Sequence, residues 1–542
     1  MNKKLLAIVL SIISITVCYS RNASMAAQMN EQINIVPQPA SIKQSAGRFV
    51  ITPSTKIVAE DIAVAEARKL INALEPAMGF RLNLIEVSQS MQNCIRLNIE
   101  SSMKNKLGDE GYTLKVTSQT ITISAIKPAG LFYGIQTLRQ LLPPAIFNKQ
   151  KVDEVEWAIP CVNITDYPRF EWRGLLIDPA RHFITRENAQ QFIDLMALHK
   201  LNRLQIHLTD DHGWRIEIKK YPQLTQTGSR MNFTIMHHGG SPKSDWFYTQ
   251  DDIRKLVRYA ADRYITIVPE IEMPAHTGGA IVSYPQVALY PEKLSALAPD
   301  KRWTAHEYVI APRPQTVVFL QDVLTEIMQL FPGKYIHIGG DEANTSHWKQ
   351  SEEMQELIRK LNLKDEAGLH SWFIQQMDTF LAEHNRRLLG WDEILQGGLA
   401  PGATVMSWRG EQGGITAANA GHDVVMAPTS HTYFDYYQGP PEKEPKAIGG
   451  FVPLEKVYQY EPVPKAVAPD KVKHILGVQA QLWGEYISTP EHLQYMAYPR
   501  GVALAEIAWS PKDSKNYERF LIRLRHHLLR LSVMEVNFRK LD

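Results

Sequence analysis

"YIHIGGDE", residues 335–342, is apolar and alternating from Tyr335 to Ile338, relaxes at Gly339 and Gly340, and ends on two adjacent carboxylates, Asp341 and Glu342. Burying unpaired charge is expensive, so a strand closing on such a pair must reach solvent, meet a cation, or have a task. The same theme recurs on both sides of it. RGLLIDPAR (173–181), RLQIHLTDD (203–211), ITIVPEIEMPAH (265–276), RLLGWDE (387–393), TVMSWRG (404–410), DVVMAPTSHTYFD (423–435) and ILGVQAQLWGE (475–485) each run β-rich and close on a polar or aromatic cluster. Helical periodicity follows several of them, in ENAQQFIDLMALHK, TQDDIRKLVRYAADR, TVVFLQDVLTEIMQLF and LHSWFIQQMDTFLAEHN. Strands alternating with helices imply parallel βαβ units, and about eight of them close into a (β/α)8 barrel. The fold class is therefore α/β, a TIM barrel preceded by a smaller α+β domain.

That smaller domain is read from residues 30–160, where short strand-like runs (CIRLNIE, YTLKVTS, TITISAI) mix with helical ones (AVAEARKLINAL, AGLFYGIQTLRQLL). The segment AIPCVNITDYPRFEWRG carries Pro160 and Pro168 and little periodicity, which places the boundary near 160 and the barrel at 161–542. The basic, amphipathic YERFLIRLRHHLLRL is expected as a final barrel helix with a solvated charged face. Residues 1–26 resemble a secretory signal: Lys3 and Lys4, an apolar stretch from Leu5 to Val17, then small and polar residues. The apolar stretch is too short for a membrane span, so an exported protein, periplasmic or extracellular if bacterial, is expected. Val17 before Cys18 is a poor match for a lipid-anchoring signal, which leaves lipoprotein anchoring through Cys18 as the minority alternative. After cleavage Cys94 and Cys161 could form at most one bridge.

Hydrophobic residues make up 44% of the 542 and charged residues 21%, enough for a sizeable core, and the formal charge is +2. Without a long basic block, a nucleic-acid footprint or an anionic-membrane surface is disfavoured and an uncharged partner fits better. No GxGxxG or P-loop is present, so no cofactor is expected.

A barrel of this type carries its active site at the C-terminal ends of its strands, which makes the residues closing each run the candidates. These are Asp178 and Arg181, Asp210 and Asp211, His276, Asp341 and Glu342, Trp391 and Asp392, Trp408, Tyr433 and Asp435, and Trp483 and Glu485. Aromatic faces stack on a pyranose ring while charged groups grip its hydroxyls, so the composition fits a carbohydrate site. Glycosidic cleavage usually takes two carboxyl groups facing each other across the bond, and neighbours on one strand end diverge instead. One of the pair could then serve as general acid, and a 2-acetamido group on the sugar could itself be the nucleophile.

IHIGGDEA (336–343), RGLLIDPARHF (173–183), HLTDDHGWRIEIKKYP (207–222), VPEIEMPAH (268–276) and QLWGE (481–485) resemble glycoside hydrolase family 20, the β-N-acetylhexosaminidases. The resemblance implies an exo-acting, retaining enzyme in which the substrate's acetamido oxygen attacks C1 and forms an oxazolinium intermediate. It makes Glu342 the acid and then the base, with a pKa expected to rise. Asp341 would orient the acetamido group and stabilise its developing charge, and Tyr433 would donate to the acetamide oxygen. Trp391, Trp408 and Trp483 match aromatic walls, Arg181, Asp435 and Glu485 match hydroxyl ligands, and Asp210 and His276 match a supporting pair behind the acid. His212 stands where many members carry Gln. The partner implied is a glycan with a terminal N-acetylhexosamine.

Two other readings compete. His207, His276 and His337 could ligate a metal in a metal-dependent barrel hydrolase, and the scaffold could bind sugar without turnover. GlcNAc against GalNAc preference, the natural glycan and the oligomeric state stay open.

Overall fold

A computed structural model describes residues 33–85, 92–103, 107–229, 246–297, 301–304 and 309–541. The expected signal at 1–26 and nearly all of the loop MNFTIMHHGGSPKSDW lie outside the described residues.

The chain divides into two compact units, one of residues 1–166 with 515–535, the other of 167–514 with 536–542. The first is built on a seven-stranded mixed sheet, in the spatial order Ser41–Val50, Ala158–Asp166, Tyr112–Val116, Thr120–Ala125, Cys94–Ile99, Lys56–Ala59 and Asn83–Ile85. Helices Ala63–Met78 and Pro128–Leu141 pack on it and on each other. The boundary expected near 160 thus falls six residues later, between 166 and 167. Despite Pro160, Ala158–Asp166 is a strand that buries Ile159, Val162 and Ile164 and pairs with strands on both sides. The helix Tyr517–Val533, expected on the barrel, belongs to this unit as well. Its buried Arg530 donates to the carbonyls of Asn34 and Gln140, both at 2.7 Å. Such contacts join residues hundreds of positions apart and leave no trace in local periodicity. Cys94 and Cys161 are buried free thiols.

The second unit is a closed barrel of eight parallel strands: β1 (Trp172–Ile177), β2 (Arg203–His207), β3 (Thr266–Met273), β4 (Tyr335–Gly339), β5 (Arg387–Trp391), β6 (Thr404–Ser407), β7 (Val424–Met426) and β8 (Ile475–Leu482). Each pairs with the next, and β8 closes on β1. Seven lie wholly in the runs read from the sequence, and β1 starts one residue before its run, at Trp172. The intervening helices include Arg186–Leu198, Gln250–Ala261, Pro314–Leu330 and Glu366–Glu383. Thr249 starts the second with a capping box to Asp252, and Thr185 and Asp365 cap the first and the last.

Trp172, Leu176, Val268, Leu389, Met406 and Val425 form a buried apolar cluster on the barrel strands. A polar relay runs beside it. Trp172 Nε1 donates to Gln479 (3.1 Å), Gln479 to Gln205 (2.7 Å), and Gln205 to Glu270 (2.9 Å). Each buried polar group in this relay has a partner, as burial requires, and its last member lies beneath the site.

Candidate active site

The C-terminal ends of the strands surround a cavity of about 350 Å³. Arg181, Asp210, His276, Asp341, Glu342, Trp391, Trp408, Tyr433, Asp435, Trp483 and Glu485 all line it. Asp178, Asp211 and Asp392 do not, although each supports a residue that does.

The backbone of β4 answers how two adjacent carboxylates can share one cavity. Gly339 and Gly340 have φ of +69° and +90°, and Glu342 follows at +48°. The left-handed turn takes the chain off the strand axis just past its end, so the ordinary alternation of side chains no longer applies. A non-glycine residue held there stores of order 1 kcal/mol or more of strain, a pattern that gathers at functional sites. His276, with φ of +51°, is held in the same way. Asp341 is buried and Glu342 reaches outward, with 58% of its side chain exposed.

Behind Glu342 lies a charge chain. His276 Nε2 is 3.4 Å from Glu342, and its Nδ1 is 3.4 Å from both Asp210 and Asp211. Arg181 pairs with Asp210 at 2.7 Å and Asp178 at 2.9 Å, and reaches Glu485 at 3.8 Å. His207 is held between Glu270 (2.7 Å) and Asp210 (3.1 Å), and His212 also approaches Asp210, at 3.1 Å. Burial opposes charge on the His276 imidazole, but Asp210, Asp211, Glu342 and Asp341 outweigh it and hold its pKa well above the usual range. For His207, Glu270 and Asp210 likewise outweigh burial and push the pKa up to about 10. Asp210 stays ionised well below the usual carboxylate range because Arg181 and His276 offset its burial.

The rise expected for Glu342 is reversed. The hydrogen bond and charge of His276 lower its pKa, and burial, which acts the other way, is too slight to prevail on a half-exposed side chain. Asp341 moves upward instead, chiefly through burial, partly offset by His276. Burial raises Asp435 too, and Glu485 adds to the effect. Burial and Asp435 keep the Tyr433 hydroxyl protonated.

Two of the three tryptophans are anchored by their ring N–H groups. Trp391 donates to Glu270 (2.9 Å) and Trp408 to Glu393 (2.9 Å), while the Trp483 ring lies under the Arg181 guanidinium, 5.2 Å from its carbon. An indole has one donor, so a spent N–H leaves its carbon face and edge for an apolar group. Trp408 stacks on Tyr433 with centroids 6.2 Å apart, and Trp391 tilts against Trp483 at 5.7 Å. Asp178 accepts from Arg181 and from the Gly484 N–H (2.9 Å), which ties the Glu485 loop to the guanidinium.

Among the described residues, two groups bring metal-ligating atoms together: His207, Glu270 and Glu272, and Asp210, Asp211 and His276. In the first, Glu270 already accepts from Gln205, His207 and Trp391. In the second, a divalent cation would face the Arg181 guanidinium 2.7 Å from Asp210. Both sets are better matched to protons and hydrogen bonds than to a cation.

A profile of the glycosyl hydrolase family 20 catalytic domain matches residues 170–512, and a profile of that family's domain 2 matches 32–167. The chain belongs to glycosyl hydrolase family 20. Both family segments stop short of the helix Tyr517–Val533, consistent with its place outside the barrel unit. A beta-hexosaminidase of Porphyromonas gingivalis is 42% identical over 514 residues, covering 94% of this chain and 65% of that protein. Among solved structures, the family 20 beta-N-acetylhexosaminidase of Streptomyces coelicolor superposes with a TM-score of 0.82 at 30% identity, covering 94% of this chain and 98% of the other. A mutant Streptomyces plicatus beta-hexosaminidase in complex with its product GlcNAc does so with the same score and identity, over 94% and 97%.

Several residues of this family 20 site escaped the strand-end reading. Glu270 and Glu272 lie within β3, and two acids at i and i+2 in an otherwise apolar strand signal a shared inward face. Glu272 lines the cavity, and Gly339 makes room for it: a Cβ there would lie 1.7 Å from its Oε2. Glu393, behind Trp408, had no sequence signal beyond adjacency to Asp392. Tyr436 and Ile448–Gly450 also line the cavity, from a loop beyond β7 whose path no periodicity predicts.

Proposed function

We propose that the protein is an exo-acting, retaining β-N-acetylhexosaminidase that removes terminal β-linked N-acetylglucosamine or N-acetylgalactosamine by substrate-assisted catalysis. The observation that carries this is the division of labour within the carboxylate pair. Glu342 is half-exposed beside an imidazolium, while Asp341 is buried in the same cavity as three tryptophans and a protonated Tyr433.

Arg181, Asp435 and Glu485 grip the hydroxyls of the terminal sugar, and the tryptophans enclose its acetamido methyl. Asp341 accepts the acetamide N–H, which swings the carbonyl oxygen toward C1, and Tyr433 donates to that oxygen. As the oxygen bonds to C1, Glu342 gives its proton to the glycosidic oxygen and the C1–O bond breaks. The positive charge on the oxazolinium ring forms beside Asp341. Water then attacks C1, Glu342 takes its proton, and the C1–acetamide oxygen bond opens to return the acetamido group with retained configuration. A sugar over the rim desolvates Glu342 and raises its pKa toward the protonated form the first step needs. The basic-then-apolar leader at residues 1–26 supports export of the enzyme.

The test compares matched chromogenic β-GlcNAc and β-glucoside substrates, with and without chelator, and adds a thiazoline mimic of the intermediate. Chelator-resistant cleavage of the acetamido sugar alone, with strong thiazoline inhibition, is expected. Equal cleavage of the glucoside, or loss of activity with chelator, overturns the mechanism.

A further inference from the structure

Glu393 is a buried carboxylate that the reaction above does not use. It sits in the short turn Asp392–Leu395 that follows β5, and its Oε2 accepts the Trp408 indole N–H at 2.9 Å. Its neighbour Asp392 holds the backbone of the same tryptophan: Oδ2 accepts from the Trp408 N–H at 3.1 Å, and Oδ1 from Arg409 Nε at 2.6 Å. Asp392 therefore sets where the residue starts, and Glu393 sets where its ring lies.

We propose that Glu393 is a positioning residue that fixes the Trp408 wall and through it the length of N-acyl chain the pocket accepts, a reading that rests on the acetamido-sugar hydrolysis proposed above. Trp408 lines the cavity and stacks on Tyr433, so rotation of its indole would both widen the acyl slot and disturb the hydroxyl assigned to the acetamide oxygen. When Glu393 is ionised, its carboxylate makes the holding bond charge-assisted and roughly twice as strong as a neutral one. The charged groups facing Glu393 are Asp341 at the end of β4, Asp392 beside it, and Arg409, whose Nε lies 3.5 Å away after β6. Burial, with Asp341 and Asp392 adding to it, pushes its pKa up to about 7, while Trp408 and Arg409 oppose the rise.

The experiment measures kcat and KM for aryl β-glucosaminides carrying N-acetyl, N-propanoyl and N-butanoyl groups. The wild type should lose activity steeply along the series. Glu393→Ala should lower kcat on the N-acetyl substrate by roughly 10–100-fold, as expected for a displaced positioning contact, and flatten the decline along the series. Glu393→Gln keeps an oxygen acceptor for the indole and should restore the wild-type ratio between acyl chains whatever its kcat. An alanine variant that loses activity by one factor across all three substrates overturns the proposal. Should Glu393→Ala not fold, Glu393→Asp draws the carboxylate back by one methylene and keeps its charge. It must flatten the series too, and wild-type ratios in it overturn the proposal. A wild type that cleaves none of the three overturns the activity itself, an outcome separate from a wild-type acyl ratio in the variants.

Discussion

The His276 imidazolium stands 3.4 Å from the Glu342 carboxylate and, through its other nitrogen, 3.4 Å from Asp210. Removing it takes away both the hydrogen bond and the positive charge that favour ionised Glu342. His276→Gln should therefore raise the Glu342 pKa, and the limb of the kcat/KM profile that reports this group should move to higher pH. A limb that stays in place would show that His276 does not govern Glu342.

Glu342→Gln should leave the fold intact, because 58% of the side chain is exposed and its partner His276 keeps Asp210, Asp211 and Asp341. Turnover of glycosides with poor leaving groups should fall by about 10²–10⁴-fold, the range for loss of a general acid, while sugar binding measured by calorimetry persists. Near-normal turnover in the purified variant would remove Glu342 from its role.

Asp341→Asn tests charge at the buried position. An amide retains the shape but not the anion that stabilises the closing ring, so kcat should drop by about 10²–10³-fold with little change in melting temperature. The thiazoline mimic should also bind more weakly. Unaltered kcat and inhibition would assign Asp341 to structure alone.

Gly339→Ala should disrupt the site from beneath. Its Cβ would lie 1.7 Å from Glu272 Oε2, and φ of +69° is strained for alanine. Destabilisation of about 1–3 kcal/mol and loss of activity are expected together. A thermal melt and an assay matching the wild type would contradict the packing described for Glu272.

Buried histidines predict the acid sensitivity of the fold. Burial holds the pKa of His199 and of His370 down to about 4, against 6.5 in the unfolded chain. Between these values the unfolded state binds more protons, so stability falls as pH drops from 6.5 to 4, by about 3 kcal/mol for each group. His199→Gln and His370→Gln should each flatten the dependence of melting temperature on pH in that window. If neither slope changes, other groups govern acid unfolding.

The barrel, and which side chains reach its mouth, follow from local patterns in the chain. Each strand announces itself through a local apolar run, and parallel βα repetition sends every run's end to the same face, so Asp341, Trp391, Tyr433 and Glu485 could be named from where their strands stop. What surrounds those ends comes from contacts between distant parts of the chain. The lowered pKa of Glu342 depends on His276, 66 positions earlier, and the Trp408 anchor depends on Glu393 from the turn that follows another strand. The place of the helix Tyr517–Val533 depends on Arg530 reaching Asn34. Periodicity is set between neighbours in the chain, whereas electrostatics and packing are set by distance in space, and only folding brings such residues within reach of one another.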